Sequence, residues 1–311
     1  MAAEPAVPAS GVAVVPSRSF VCSSALADFW ALTKPEVNFL IGVTTAAGFY
    51  LGSQAELARF LWIPLLQALL GTLLVASGAA ALNHWMEYPF DAKMRRTARR
   101  AIPAGRIHPD HALAFGSTLS VAGVAYLALS VGLLASLLAL VALIGYLLLY
   151  TPLKRVTPLC TLVGAAPGAV PPLIGWAAAR GHLDPEAWLL FSIVFLWQFP
   201  HFMSIAWMYR DDYERAGYVV LPGGVTRDRL VDVQTLLPLV ALVLVSLLVE
   251  RGGQPLVPYR IGALVLGGGF LYVGVRFTRQ RSRVAARRLL MASIVYLPSL
   301  LLLIVLLAPR G

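Results

Sequence analysis

Asn83, Glu87 and Asp91 stand four residues apart in the stretch Asn83-His84-Trp85-Met86-Glu87-Tyr88-Pro89-Phe90-Asp91. On a helix a four-residue step turns only about 40° from the starting face, so the amide and both carboxylates share one side. Oxygen donors of this kind suit a hard divalent cation. Mg2+ typically binds through one or two carboxylates and completes its shell with water and substrate phosphates. Cations follow at once: Lys93, Arg95, Arg96, Arg99, Arg100 and Arg106. A carboxylate-held metal beside guanidinium groups suits a diphosphate, which the two can grip together. Read blandly, the basic run is a loop obeying the charge rule for membrane proteins, with two incidental acids. Asn and Glu at the end of an apolar segment argue against that, because polar groups there are costly unless used.

A second group lies further along, Trp197-Gln198-Phe199-Pro200-His201-Phe202, running on to Tyr209-Arg210-Asp211-Asp212-Tyr213. His201 and Asp212 are eleven residues apart, about three turns. On one continuous helix they share a face, roughly 16 Å apart along the axis. The acidic end, Asp211 and Asp212, could hold a second cation. His201 sits deeper, where an intramembrane histidine is a functional suspect, unless it only bonds across helices for packing. Lys154 and Arg155 close another apolar segment at Tyr150-Thr151-Pro152-Leu153 and could reach the same phosphate. Positive-inside topology alone would also place them there.

The elements that must carry these groups are membrane helices. Of 311 residues 59% are hydrophobic and 13% charged, far from the roughly 25% charge of a soluble domain. That excludes a disordered chain, a coiled coil and an ordinary soluble enzyme. The +10 net charge does not point to nucleic acid, because the basic residues fall between apolar runs rather than on one soluble face. Two cysteines, Cys22 and Cys160, are too few for a disulfide framework or a CxxC zinc site.

Segments of about 20 apolar residues can cross the bilayer. Nine are expected, roughly 36–53, 61–84, 112–130, 134–151, 159–179, 187–208, 233–249, 256–275 and 289–307, with a tight turn near Gly132. Most of the 25 Lys and Arg residues fall on one side of this arrangement. Arg59, Arg180, Arg251, Arg260 and Arg310 fall on the other. The bias predicts a cytoplasmic N-terminus, which an odd number of spans requires if the C-terminus lies outside. The arginines of 276–288 read as topology and lipid headgroup contacts. The span with Pro167, Pro171 and Pro172 is expected to break, as helices do where they line a cavity. The helix carrying Asn83 is expected to kink or end near Tyr88, because Pro89 has no N–H to give. Residues 1–28 lack the charged start and apolar core of a signal peptide and are expected to be a disordered tail, leaving 29–311 as one nine-helix domain.

No GxSxG, HExxH, Walker loop or CxxCH is present, which argues against a hydrolase, zincin, ATPase or c-type haem protein. The motifs that are present resemble a known family. Asn83-xxx-Glu87-x-Pro89-Phe90-Asp91 with Met94-x-Arg96-Thr97, then Tyr150 to Arg155, Gly168 to Trp176, Trp197 to Phe202 and Asp211-Asp212-Tyr213 follow the order and spacing of the haem-prenylating branch of the UbiA superfamily. These are intramembrane prenyltransferases, and the likeness covers nearly all of the chain after about residue 28. Two departures stand out. Glu87 occupies a position where many members have Asp, which keeps the carboxylate and adds a methylene. Glu36 stands where many haem-branch members carry a basic residue, which leaves Lys34 alone there and weakens a phosphate contact at that point.

The resemblance implies an all-α UbiA-like bundle in a bacterial inner membrane, with its active site at the cytoplasmic face. It implies Mg2+ on Asn83, Glu87, Asp91 and Asp212, with Asp211 adjoining, and a farnesyl diphosphate whose departing diphosphate is neutralised by Lys93, Arg96, Lys154, Arg155 and Arg210. Protohaem IX is the implied acceptor: a vinyl group attacks the farnesyl carbon and water adds, giving haem O. His201 would orient the haem or its iron. Haem A synthase or oxidase assembly factors are the implied partners, alongside membrane lipid. The alternatives are an aromatic-acceptor prenyltransferase acting on a quinone precursor, a membrane transporter, which would hold acids at mid-membrane, and a haem-binding scaffold, which would bind haem without the carboxylates named here.

Overall fold

The computed structural model describes residues 24–53, 62–221, 224–249 and 257–307, and all regular structure among them is helical. Short α1 (Ala25–Leu32) leads into α2 (Pro35–Ser53), α3 (Trp62–Asp91) and α4 (Pro109–Ser130). Helix α5 (Leu133–Ile144) runs through a π-helical turn (Gly145–Tyr150) into the single turn α6 (Thr151–Leu153). Then come α7 (Cys160–Gly168), α8 (Pro171–Arg180), α9 (Pro185–Met208), α10 (Arg210–Arg215), α11 (Gly224–Ser246), α12 (Val257–Gln280) and α13 (Arg283–Leu307).

Eight stretches among the described residues are long and apolar enough to span a membrane, from Trp62–Asp91 to Arg283–Leu307. The expected first span is a helix, α2, but it does not belong to these eight. Its run of Asn38, Thr44, Thr45 and three glycines dilutes its apolar content. Large side chains face outward all round the bundle: Leu129 on α4 is 88% exposed and Val265 on α12 is 70% exposed. With no aqueous core to hide from, such a surface belongs in lipid. The chain is an integral membrane protein.

Four expectations about local structure meet the model directly. Gly132 does separate two spans: its φ of 146° is open to glycine, and it caps α5. The proline-rich span breaks between α7 and α8, where Pro171 and Pro172 start a new helix. Pro89, by contrast, lies inside α3, which continues to Asp91. The ring removes only the bond to Trp85, and Ala92 N–H donates to Tyr88 O at 3.1 Å, so the helix carries on beyond the lost bond. The segment after His201 does not stay helical to Asp212, because Tyr209 (φ −111°, ψ 20°) leaves the helix and α10 restarts at Arg210. His201 and Asp212 therefore do not line one helix face.

At the N-terminus, α1 begins at Ala25, inside the segment expected to be tail; residues 1–23 lie outside the described residues. Asp28 on α1 is buried and accepts from one edge of the Arg106 guanidinium, through Nε and Nη2, at 2.9–3.1 Å. Arg106, expected near phosphate, instead clamps α1 to the loop after α3.

The bundle packs α3 on α4, α2 on α8, α9 on α11 and α13, and α12 on α13. Helices α2 and α8 approach almost backbone to backbone. A Cβ on Gly175 would overlap the Thr45 carbonyl, and one on Gly48 would overlap that of Pro172. Glycine is the side chain this crossing requires.

Candidate active site

The last two turns of α3 bring Asn83, Glu87 and Asp91 to one buried face, as the four-residue spacing predicts; Asn83 and Asp91 are each 1% exposed. Each meets a cation from a different element. Lys34, at the joint of α1 and α2, donates from Nζ to Asn83 Oδ1 at 3.0 Å. Lys154, just after α6, donates from Nζ to Glu87 Oε1 at 2.9 Å. Arg100 donates from Nη1 to Asp91 Oδ2 at 2.7 Å. A charge-assisted bond inside a low-dielectric end of a bundle is strong, and an unpaired charge there is costly.

Further groups fix the orientation of each ligand. Asn83 Nδ2 donates to Thr151 Oγ1 at 3.2 Å, and Thr151 in turn donates to Tyr146 O at 2.9 Å. That second bond reaches back five residues, across the π-helical turn that closes the α5 span. Such turns re-aim side chains at functional sites. With its amide nitrogen so engaged, Asn83 presents Oδ1 to Lys34. Glu87 Oε1 also accepts the Tyr218 hydroxyl at 3.0 Å. Lys154 is held from its other side by the Tyr150 ring, 4.5 Å from Nζ.

Burial acts differently on the two lysines. Burial, with Arg100 and Lys154 close by, pulls the Lys34 ammonium down to about 7. Burial also opposes the charge of Lys154, but Tyr150 and Glu87 outweigh it and hold that ammonium well above its ordinary value. Lys34 adopts φ 51°, rare for a residue with a Cβ. The strained joint is what turns its side chain inward to Asn83.

Asp212 is positioned separately. Its two oxygens accept the backbone N–H groups of Arg95 (3.3 Å) and Arg96 (3.4 Å), and Arg215 donates to Oδ1 at 2.9 Å. Burial raises its carboxyl, but these donors outweigh it and leave it below the usual range. Asp212 thus ties α10 to the loop after α3. No three His, Cys, Asp or Glu side chains among the described residues converge as a metal site, so Glu87, Asp91 and Asp212 are not drawn into one cluster. Asp211 pairs with Arg283 at 2.6 Å and Arg210 at 3.6 Å.

The residues present fit a divalent ion on α3. Asp91 Oδ1 is buried and has no hydrogen-bond partner among the described residues, while Oδ2 is taken by Arg100. An unpaired carboxylate oxygen beside Asn83 and Glu87 is a donor with nothing else to bind. Three protein oxygens leave the remaining positions of an octahedral shell to water and phosphate.

The expected phosphate cations divide. Lys154 reaches the ligand face directly. Arg155 and Lys93 both lie over the Phe90 ring, 4.7 and 5.7 Å from its centre, and Arg96 lies 4.8 Å from that of Tyr209. These aromatic rests keep three cations at the mouth of the site without pairing them to carboxylates. Arg210 folds back, 5.2 Å from the Trp207 ring and donating to Trp207 O. Of the arginines of 276–288 expected at lipid headgroups, two are engaged internally. Arg281 bridges Asp228 and Asp232 on α11 at 2.6 and 2.8 Å, and Arg283 holds Asp211.

Arg100, Lys34, Thr151 and Tyr218 complete the site; the sequence pattern offered Arg100 as a phosphate cation, where it pairs with Asp91, and did not select the other three. His201 lies in α9, hydrogen-bonded to Ser293 and stacked on Trp197, 4.8 Å between ring centres.

The UbiA prenyltransferase family model matches residues 41–297. The chain belongs to the UbiA prenyltransferase family. Among curated relatives it is 48% identical over 277 residues to a protoheme IX farnesyltransferase of Solibacter usitatus, covering 87% of this chain and 95% of that one. Among solved structures it resembles one described under the biosynthesis of digeranylgeranylglyceryl phosphate synthase in membranes, at 16% identity and TM-score 0.71, covering 90% of this chain and 97% of that chain. It also resembles a UbiA homologue of Archaeoglobus fulgidus bound to GPP and Mg2+, at 14% identity and TM-score 0.61, covering 89% and 99%. These two likenesses establish the all-helical UbiA fold, and the matched family segment holds Asn83, Glu87, Asp91, Lys154, His201 and Asp212.

Proposed function

We propose that this UbiA-family chain transfers the farnesyl group of farnesyl diphosphate to a vinyl group of protohaem IX, releasing diphosphate, and that water adds to the resulting cation with loss of a proton to give haem O. One observation carries the chemistry: Asn83, Glu87 and Asp91 line one face of α3, each met by a cation from a separate element, with Asp91 Oδ1 left over. The acceptor follows from the 48% identical relative, named as a protoheme IX farnesyltransferase. The Mg2+ in the Archaeoglobus structure supports a metal here.

Asn83, Glu87 and Asp91 would hold Mg2+, which supplies positive charge to the leaving diphosphate. Asp212 anchors the loop whose Arg96 and Lys93 reach the same mouth. Lys154 and Lys34, paired with ligand oxygens in this state, are placed to turn their ammonium groups to phosphate as the acids take up metal. Arg155 adds a third charge. Preorganised donors of this sort stabilise a departing anion by several kcal/mol, about 10²–10³ in rate for each key donor. The apolar bundle keeps water from the allylic carbon until the vinyl group reacts. The carboxylates gather at one end of α3 and on α10, which favours an interfacial enzyme over a transporter with acids at mid-membrane.

The proposal places this end in the cytoplasm of a bacterial inner membrane, as the charge bias predicts. A Lys93→Cys variant should react with an impermeant maleimide only in inside-out vesicles. Labelling from the other side would reverse the orientation. The product assay decides the reaction itself. Membranes given protohaem IX, Mg2+ and farnesyl diphosphate should yield a haem with a hydroxyethylfarnesyl group by mass spectrometry, and chelation should abolish it. Farnesyl transfer to a phenolic acid in place of haem would replace the acceptor and keep the diphosphate site. Haem binding that persists after loss of every carboxylate, with no transfer, would make the chain a scaffold.

A further inference from the structure

His201 Nδ1 lies 2.8 Å from Ser293 Oγ across the α9–α13 interface. Which atom donates follows from a third partner. Ser293 Oγ also stands 2.6 Å from Leu290 O. A carbonyl has no proton, and two oxygens come that close only with a hydrogen between them. A hydroxyl carries one hydrogen, so that proton is committed to Leu290 O. Towards His201, Ser293 Oγ can only accept, and Nδ1 must be the N–H of the imidazole. In the neutral ring Nε2 then carries the lone pair. The one hydrogen bond to this ring among the described residues is the one at Nδ1; no carboxylate bonds to it, and no hydrogen bond reaches Nε2.

The rest of the ring is fixed from the same position on α13. Trp197 Nε1 donates to Ser293 O at 2.7 Å, and the indole stacks on the imidazole at 27° between planes. Phe202 stands edge-on to the ring, 5.8 Å between centres. Residue 293 thus holds both members of the stack, one by its carbonyl and one by its hydroxyl. The hydroxyl is fully buried, at 0% exposure, within an apolar helix pair that needs no polar group for packing. A histidine whose Nδ1–H is held by an oxygen while Nε2 is left as a lone pair is the arrangement that prepares an imidazole to bind a metal.

We propose that Ser293 is a positioning residue: it locks His201 in the Nδ1–H tautomer so that Nε2 ligates the iron of the acceptor porphyrin. This rests on the reading of haem as the acceptor. Donation from Nδ1–H to Ser293 Oγ makes the ligand more basic, so removing the hydroxyl weakens the iron–nitrogen bond even where the fold is intact.

The test uses the full chain in detergent with ferrous protohaem IX as the probe, read by resonance Raman spectroscopy. The wild type should show an iron–histidine stretching band, and His201→Ala should lose it. Ser293→Ala should move the band to lower frequency and weaken haem binding about 10- to 100-fold. Ser293→Thr keeps the hydroxyl and should restore both. The KM for farnesyl diphosphate should stay at the wild-type value in Ser293→Ala, which shows that the bundle is folded. Should the alanine variant not fold, Ser293→Cys, with a weaker acceptor, should give an intermediate band. A wild type without the band, or a Ser293→Ala band at the wild-type frequency, would overturn the assignment. If farnesylated haem still forms in that case, only the role of Ser293 and His201 falls. If farnesyl passes to a phenol and haem does not bind, the acceptor reading falls with it.

Discussion

Lys154 is the cation whose loss should be felt most. It pairs with Glu87 at 2.9 Å with both side chains nearly buried, so it bonds directly to one of the oxygens that would hold the metal. Lys154→Ala should slow diphosphate release by about 10²–10³ in a coupled phosphate assay. Tyr218→Phe removes only the 3.0 Å donor to Glu87. A bond to a charged acceptor is worth about 1.5–3 kcal/mol, so release should slow by about tenfold or more. Equal rates in wild type and Lys154→Ala would remove Lys154 from the site. The difference between these residues and Asn83, Glu87 and Asp91 is one of distance along the chain. These three residues sit on one helix, and a four-residue period exposes them to a reader of the sequence. Their partners come from far away: Lys34 is 49 residues from Asn83, Lys154 is 67 from Glu87 and Tyr218 is 131 from it. No local period encodes such a meeting. Lys154 was readable as a cation near phosphate, but not as the partner of Glu87. Lys34 was readable only as an isolated charge beside Pro35.

Prolines and glycines set what the helices can do, and the two act unequally on a reader's expectations. Pro171 and Pro172 break their span because two successive residues lack an N–H and open a new helix. A single Pro89 does not, since the bonds beyond it resume and bring Asp91 into α3. The stop at Tyr209 carries no proline or glycine, so nothing local announced that α9 would end before Asp212. Two glycines, one at the crossing of α2 and α8 and one on α12, offer a matched pair of tests. At Gly175 a new Cβ would overlap the Thr45 carbonyl, which is backbone and cannot swing aside. Gly175→Ala should therefore destabilise the bundle by about 1–3 kcal/mol or more, read as a lower thermal midpoint in detergent. At Gly268 on α12 a Cβ meets nothing within 4 Å. Gly268→Ala should leave the midpoint unchanged or raise it by up to about 1 kcal/mol, the helix preference of alanine over glycine. A Gly175→Ala midpoint equal to the wild type would show that α2 and α8 can part without loss.

At the scale of the whole bundle, the buried acids of the site end are paired internally. Lys154 and Arg100 answer Glu87 and Asp91, while Arg215, Arg281 and Arg283 answer the acids of α10 and α11. With Lys34 bonded to Asn83, these pairs knit α1, α3, α6, α10, α11 and the α12–α13 turn together at one end. Buried carboxylates left without counter-charge would destabilise a fold by about 3–5 kcal/mol each. In a protein whose carboxylates depend on metal for neutralisation, chelation removes fold and activity together. Here the lysines and arginines supply that neutralisation from within, so the two should separate. Chelation of the purified protein should abolish diphosphate release while the thermal midpoint stays where it was. Adding Mg2+ alone should move the midpoint little, because the ion must displace cations already in place. Mg2+ with a non-hydrolysable farnesyl diphosphate analogue should raise it, since phosphate oxygens then accept the lysines that the metal releases, and binding to the folded state alone adds stability. Lys154→Ala should reverse the pattern: Glu87 loses its counter-charge, and the midpoint should become sensitive to chelator. A wild-type midpoint that falls steeply with chelator would mean that the internal pairs do not hold the site end together.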